Sequence, residues 1–165
     1  MTVIHLVPSG SAWIASGINR RTAEVIIAEV GVDMSAFRSA AHLASWAALC
    51  PGNNESAGKH ASGKTRKGNQ WLRTALIEAA AGASRAKNSA LQARFRRVLR
   101  HRGPKKAVVA LAHTLLRIAY HVLADGTVYR ELGGDYYDRR HRQHLTRRAI
   151  HLLEHQGYRV VLEPA

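Results

Sequence analysis

The sequence is poor in cysteine, and it contains no long apolar run. Its single cysteine, Cys50, excludes an internal disulfide framework and is compatible with a reducing cytoplasm. Between Leu49 and Pro51, this thiol is expected to act as a small buried hydrophobe rather than a nucleophile. No stretch approaches the roughly 18 consecutive apolar residues that a membrane span needs, and no basic segment precedes an apolar one at the N-terminus. We therefore expect a soluble, cytoplasmic protein without a membrane partner.

Acidic residues are also scarce, which limits the possible enzyme classes. The 165 residues include only eleven Asp and Glu, and these are scattered singly along the chain. A two-metal nuclease needs several carboxylates close together, so no metal site is predicted. Gly58-Lys59 does not form the end of a Walker loop, because Asn53 stands where the first glycine of that pattern is required.

One apparent metal motif remains, at residues 151–155, His-Leu-Leu-Glu-His. It fits the H-x-x-E-H pattern of inverted zinc peptidases. The alternative is a solvated, histidine-rich helix face. We prefer that alternative because ten histidines in a helical chain produce this spacing by chance, and Glu163 is the sole carboxylate downstream.

Basic residues are abundant and unevenly distributed. The formal net charge is +14, and the isoelectric point is near 11.0. Residues 1–55 carry a net charge of −1, residues 56–106 carry +13, and residues 107–165 carry +2. A block of this sign and density favours a nucleic-acid partner first and an anionic membrane second. A merely solvated basic face is the third interpretation.

The most unusual segment is residues 51–73, which precede a strongly helical pattern. The segment holds four glycines and two serines, with almost nothing apolar before Trp71. This composition predicts a polar, glycine-rich loop. The loop leads into a helix N-terminus, whose amides and dipole attract anions. A phosphate-bearing partner is therefore expected to contact the basic side chains of this loop, Lys59, Lys64, Arg66, Lys67 and Arg73.

The apolar periodicity predicts an all-α, multi-helix domain. Residues 1–12 show no clear period and are expected to be loose. Helices are predicted over 24–30, from Asp33 or Ser35 to 49, and over 71–85, 89–101, 105–123 and 138–156. The helix over 105–123 is the most apolar and is expected to form the core. The stripe expected to pack in the helix over 71–85 begins with Trp71 and Leu72. Residues 157–162 are expected to form a short strand or a docked tail.

Residues 13–31 resemble a helix-hairpin-helix, a motif whose turn amides hold a DNA phosphate. A short apolar turn containing Gly17 precedes a helix that starts with Arg20 and Arg21, although Asn19 stands where the motif's second glycine is usual. The open alternative is an ordinary connection between two helices.

Ser56 and Ser62 lie in the basic loop, where cationic groups could stabilise a phosphate under nucleophilic attack. From the chemistry alone, a serine in a loop is more often a helix cap or a solvated hydroxyl.

Four segments closely resemble the C-terminal transposase domain of the IS110 family of bacterial insertion sequences. These are residues 37–59, 63–73, 107–113 and 125–129. The resemblance extends from about residue 14 to the end of the chain. It implies a domain over 13–130, containing the hairpin-like 13–31, followed by a basic helical extension over 131–165.

The resemblance also implies a chemistry. Family members combine a RuvC-like domain, with an acidic magnesium site, and a C-terminal domain that supplies a serine nucleophile. Pro51 and Ser56 match the Pro-x-x-x-x-Ser motif, so Ser56 is the expected nucleophile and Ser62 the runner-up. Magnesium is expected only in the missing RuvC-like domain, and no cofactor is expected in this chain. The residues expected to contact nucleic acid are Arg20, Arg21, Lys59, Lys64, Arg66, Lys67, Asn69 and Arg73.

The expected partners are DNA, a structured non-coding bridge RNA, and other transposase chains in a homo-oligomer or with a full-length relative. Three departures from the family pattern suggest a truncated copy without autonomous activity. The chain starts just before the hairpin-like segment, Ser16 and Asn19 replace a proline and a glycine, and Ala48 and Ala57 replace two further glycines. The predicted function is therefore DNA binding by a serine-dependent transposase domain. The alternative is a non-catalytic nucleic-acid-binding module that associates with full-length transposase.

Overall fold

The computed structural model describes residues 17–52, 55–56, 58–60 and 64–163, and this part of the chain is helical apart from one minimal hairpin. This confirms the all-α prediction. Residues 1–12, expected to be loose, lie outside the described part. The helices are α1 Arg20–Val30, α2 Ala40–Trp46, α3 Gln70–Ala83, α4 Ala90–Arg102, α5 Pro104–Asp125 and α6 Tyr136–His155, with a 3-10 turn at Met34–Ala36 and strands β1 Glu55–Ser56 and β2 Lys59–His60.

Helix α5 is the central element, as its apolar pattern predicted. It packs against α2, α3, α4 and the 3-10 turn. Its length and apolar composition would also suffice to cross a membrane. Here it forms the core of a helical bundle, because its buried side chains recur every three or four residues and face the neighbouring helices. They are Ala107, Leu111, Ala112, Leu115, Leu116, Ala119 and Val122.

Helices α1 and α3 pack antiparallel. Near the end of α1, the Glu29 carboxylate accepts a hydrogen bond from the Asn69 amide, which lies just before α3. At the other end, Gly17 precedes α1 and lies against Ala83, so closely that a Cβ on Gly17 would be 2.7 Å from the Ala83 Cβ. Gly17 also has a φ of +78°, which favours glycine. These two contacts fix the opposite ends of the pair.

The helix predicted from Asp33 or Ser35 to residue 49 is wrong in its extent. Asp33 does accept a hydrogen bond from the Ser35 amide, but it caps only the three-residue 3-10 turn. Phe37 then adopts an extended conformation. Helix α2 begins after Ser39, whose hydroxyl accepts from the His42 amide. Ser39 is thus a second capping residue, and it starts a separate helix where the periodicity predicted one continuous helix.

Two further expectations need correction. Trp71 was placed in the buried stripe of α3, yet 76% of its surface is exposed, and the buried stripe starts at Leu72. Residues 157–162 do not form the short strand that was one of the two expectations for them; they are irregular, and most of them are exposed. Helix α6 is an outlying element without a buried residue, and it contacts α4.

Candidate nucleic-acid interface

The basic loop is partly ordered as a β-hairpin, which composition alone did not predict. Strands β1 and β2 pair antiparallel, with Ser56 opposite Lys59 and Glu55 opposite His60. Gly58, in the connection, has a φ of +74°, as expected where a tight turn reverses the chain. The predicted nucleophile Ser56 thus lies at the last paired position before the turn. Its role stays a prediction, and Ser62 lies outside the described residues.

The base of the hairpin is closed by backbone contacts. An isolated bridge pairs Pro51 with Thr65, and the Gly52 amide donates to the Lys64 carbonyl over 3.1 Å. The segment is therefore held at its two ends near α2 and α3, and the hairpin extends from this closure.

The junction between the loop and α3 is rigid. Asn69 caps α3 by accepting a hydrogen bond from the Leu72 amide at 3.1 Å, while its amide group donates to Glu29. Gly68 packs so closely that a Cβ there would be 2.6 Å from the Ala48 Cβ. The guanidinium of Arg73 donates to the Ala48 carbonyl at 3.2 Å. Asn69 and Arg73, both expected to contact nucleic acid, are thus engaged in fixing this junction.

The remaining cations of the loop are accessible. Lys59, Lys64, Arg66 and Lys67 are exposed, and Arg66 donates to the Ser45 hydroxyl at 3.3 Å. Lys59 is in β2 and Lys64 is at the closed base of the hairpin. Arg66 and Lys67 come just before α3, where the free amides and the helix dipole add positive potential. We call these four residues the loop cluster.

Arg20 and Arg21 do not join the loop cluster. They are the first two residues of α1. Because α1 and α3 are antiparallel, this end of α1 lies beside the C-terminal end of α3. The 14 residues of α3 separate the two ends by about 21 Å. Arg20 also forms an ion pair of 2.8 Å with Glu24 of its own helix. The hairpin-like motif stays a prediction, since Asn19 caps α1 by accepting from the Thr22 amide and residues 13–16 lie outside the described part.

A groove with a cavity volume of about 760 Å³ runs from the closed base of the hairpin to the α4–α5 corner. The apolar residues of its walls are Leu49, Pro51, Val98, Val109 and Ala110. Five cationic side chains line it, and among the residues that the structure describes no acidic side chain does. They are Lys64, Arg94, Arg102, Lys105 and Lys106.

The interior of this groove is electropositive. Burial is the main cause that lowers the pKa of His113, and the neighbouring positive charges of Arg117 and Arg94 lower it further. The Arg94 Nε is buried and has no hydrogen-bond partner within the described ranges. Sequence reasoning missed the groove because its walls come from α4, α5 and the loop base, which are separated in the chain. The basic composition of residues 94–106 was its only signal.

The described residues do not fit a metal centre. No group of three or more His, Cys, Asp or Glu side chains in the described ranges could hold an ion. The two histidines of the H-x-x-E-H pattern, His151 and His155, are exposed on α6. A magnesium ion therefore has no donor set in this part of the chain, and we assign no chemical step to one.

An accessible cationic loop before a helix N-terminus, beside a cation-lined groove, places this chain in the class of helical domains with a concentrated basic surface. Within that class, residues 15–96 match the family described as Transposase IS116/IS110/IS902. Over this segment, the chain belongs to that family.

Two curated relatives agree with this assignment. A Streptomyces coelicolor protein named "Insertion element IS110 uncharacterized 43.6 kDa protein" is 33% identical over 117 residues, which cover 68% of this chain and 28% of the relative. A Sinorhizobium fredii protein named "Putative transposase y4pF/y4sB" is 33% identical over 111 residues, covering 62% of this chain and 28% of the relative. The chain thus matches little more than a quarter of either relative's length. No solved structure matches it significantly.

Proposed function

We propose that this chain is a DNA-binding transposase domain that binds duplex phosphates through the loop cluster. The loop cluster itself carries the proposal: its four exposed cations stand in the Ser56 hairpin, at its closed base and in the segment that leads into α3. Charge-assisted contacts from Lys and Arg to phosphate dominate non-specific DNA affinity. The junction at Gly68 and Asn69 supports the proposal, because its close packing and helix cap hold the backbone next to Arg66 and Lys67.

The binding test compares matched charge removals by fluorescence anisotropy on a labelled blunt duplex, over a salt titration. Arg66→Ala combined with Lys67→Ala removes two exposed cations of the loop cluster. We expect the slope of log affinity against log salt to become shallower by about 1.8, because each lost phosphate contact accounts for roughly 0.9. Arg38→Ala combined with Arg130→Ala removes two exposed cations elsewhere and is expected to leave the slope unchanged. Equal slopes for both pairs would reject the loop cluster as the interface.

We further propose that the Ser56 hydroxyl is the nucleophile of strand exchange. It would attack a backbone phosphorus, form a Ser–O–P bond and displace a sugar oxygen, which takes up the proton. What supports this role is the hairpin register, which puts Lys59 opposite Ser56, so that a cation can lie beside a phosphate under attack.

The adduct test mixes the chain with end-labelled junction DNA, magnesium, and a RuvC-like domain and bridge RNA from a close relative. A covalent protein–DNA band on a denaturing gel is the readout. We expect the band in the unsubstituted protein and in Ser62→Ala, and its loss in Ser56→Ala. If a full-length relative gives the band and this chain binds DNA without giving it, the serine proposal is wrong and the non-catalytic binding module is the better account.

A further inference from the structure

We infer that the groove between the hairpin base and the α4–α5 corner binds one unpaired nucleotide, with its base against the apolar walls and its flanking phosphates on the cationic rim. This inference rests on the proposed function, since the nucleotide would belong to the nucleic acid held by the loop cluster. It adds a base-binding site that family membership does not assign.

The size and lining of the groove support this occupant. Its volume of about 760 Å³ lies within the range of roughly 300–1,000 Å³ that is usual for small-ligand pockets. Val98 of α4 and Val109 and Ala110 of α5 supply apolar walls from two different helices, and apolar walls suit the flat surface of a nucleobase. A duplex would leave these walls empty, because paired bases are stacked inside the helix and only phosphates would reach the rim.

The charges at the corner favour a ligand with phosphates. Helix α4 ends with Arg100, His101 and Arg102, and α5 begins two residues later with Pro104, Lys105 and Lys106. Lysines in the first turn of a helix oppose its dipole, and the start of α5 has no side-chain cap. A bound phosphate would relieve this repulsion and accept hydrogen bonds from the free amides.

The side chain of Arg94 also supports a ligand with hydrogen-bond acceptors in the groove. Its Nε is buried without a hydrogen-bond partner within the described ranges, although buried donors are normally paired. The side chain lines the groove, so a phosphate or a base acceptor bound there could receive this bond.

The position of the groove connects it to the loop. Pro51 and Thr65, which bridge at the closed base of the hairpin, are also lining residues. A strand whose phosphates contact the loop cluster can therefore continue into the groove where its bases become unpaired. A junction between single-stranded and double-stranded nucleic acid is the predicted ligand.

The test uses the full chain and three labelled probes that share one duplex: a blunt end, an overhang of three nucleotides, and an overhang of three abasic sites. The two overhangs carry equal phosphate charge, so any difference between them reports the bases. We expect the base-bearing overhang to bind about tenfold more tightly than the abasic one, as when roughly 55 Å² of apolar base surface leaves water. An RNA overhang is expected to share this preference.

Ala110→Gln and Val98→Gln place a neutral amide on either wall of the groove. Each is expected to reduce the base preference below threefold without changing the affinity for the blunt duplex. Ala124→Gln, at an exposed site near the end of the same helix, is the matched control and should keep the preference.

Equal binding of the two overhangs by the unsubstituted chain would overturn the inference, even if neither groove variant folds. Retention of the base preference in a folded groove variant would do the same. Failure of the chain to bind the blunt duplex would reject the proposed function, and the groove inference that rests on it. Normal duplex binding without a preference for the base-bearing overhang would reject the groove inference alone.

Discussion

Gly68, just before α3, and Gly82, near the end of α3, differ in how much space a side chain would have. A Cβ at Gly68 would lie 2.6 Å from the Ala48 Cβ and 2.8 Å from the Ala47 carbonyl oxygen, whereas a Cβ at Gly82 would meet nothing within 4 Å. Gly68→Ala must therefore displace the junction and is expected to destabilise the fold by about 1–3 kcal/mol. Gly82→Ala removes glycine from α3 and is expected to stabilise it by roughly 0.5–1 kcal/mol. Urea unfolding measures both, and shifts of the same sign would contradict this packing.

His113 gives the fold a dependence on pH. Burial and the charges of Arg117 and Arg94 lower its pKa in the folded state below the ordinary value of 6.5. Below pH 6.5 the unfolded chain consequently binds a proton that the folded chain does not, so the free energy of unfolding falls as pH falls from 6.5 toward the lowered pKa.

Unfolding in urea at pH 7.5 and at successive values below 6.5 checks this sign. His113→Gln is expected to lose less stability across that interval than the unsubstituted protein does. His151→Gln, at an exposed position of α6, is the control and should follow the unsubstituted curve. If His113→Gln shows the full pH dependence, other groups are responsible for it.

At the scale of elements, Glu131 joins the connection after α5 to the start of α4. Its carboxylate accepts hydrogen bonds from the amides of Ala90 at 2.7 Å, Leu132 at 3.0 Å and Gly133 at 3.2 Å. The Tyr129 hydroxyl donates to its other oxygen at 3.2 Å, and burial, the Glu131 charge and this bond raise the pKa of Tyr129. One acid thus organises a turn and caps a helix.

Glu131→Ala is expected to reduce the free energy of unfolding by about 1–2 kcal/mol, because three amides lose their acceptor. Tyr129→Phe removes a single hydrogen bond and should cost about 0.5–1.5 kcal/mol. Thermal unfolding of both variants tests the ranking. A larger effect from Tyr129→Phe would mean that packing of the ring, rather than the carboxylate, fixes this connection.

The sequence predicted long periodic helices better than it predicted their interruptions or their contacts. The central position of α5 followed from its apolar repeat, and the capping residue Asp33 was recognised. The break at Phe37 was missed because its environment, an edge-on contact with Trp46 at 5.6 Å and a hydrogen bond from Tyr120 to its carbonyl, comes from tertiary packing. Trp71 was misplaced because it stands one residue before the buried stripe, where periodicity alone cannot decide a boundary.

For the candidate site too, the sequence predicted the local features and missed those that depend on tertiary packing. Composition identified the basic loop, and the accessibility of Lys59, Arg66 and Lys67 agrees with that interpretation. It could not show that Asn69 and Arg73 hold the junction together, nor that Arg20 and Arg21 lie at the far end of α3. Those facts depend on the antiparallel packing of α1 and α3, which brings together residues 40 positions apart.

For the whole molecule, stability is expected to be uneven. Helix α5 has seven buried side chains, whereas α6 has none and is held to α4 by contacts such as Arg97 to the Tyr137 carbonyl at 3.4 Å. We expect the amides of α6 to exchange with solvent through local opening, and those of α5 only through global unfolding. Hydrogen exchange followed by mass spectrometry tests this, and equal protection of the two helices would show that α6 belongs to the cooperative core.

The central position of α5 also affects the order in which the chain can fold during synthesis. The helices that α5 covers are all translated before it, and the family-matched segment at residues 15–96 ends before α5 begins. At roughly 5–20 residues per second, several seconds pass between the start of α3 and the end of α5. During that interval, the apolar faces of α2, α3 and α4 lack the partner that they contact in the finished fold. The nascent protein therefore has a period of aggregation risk that ends only when Asp125 has left the ribosome.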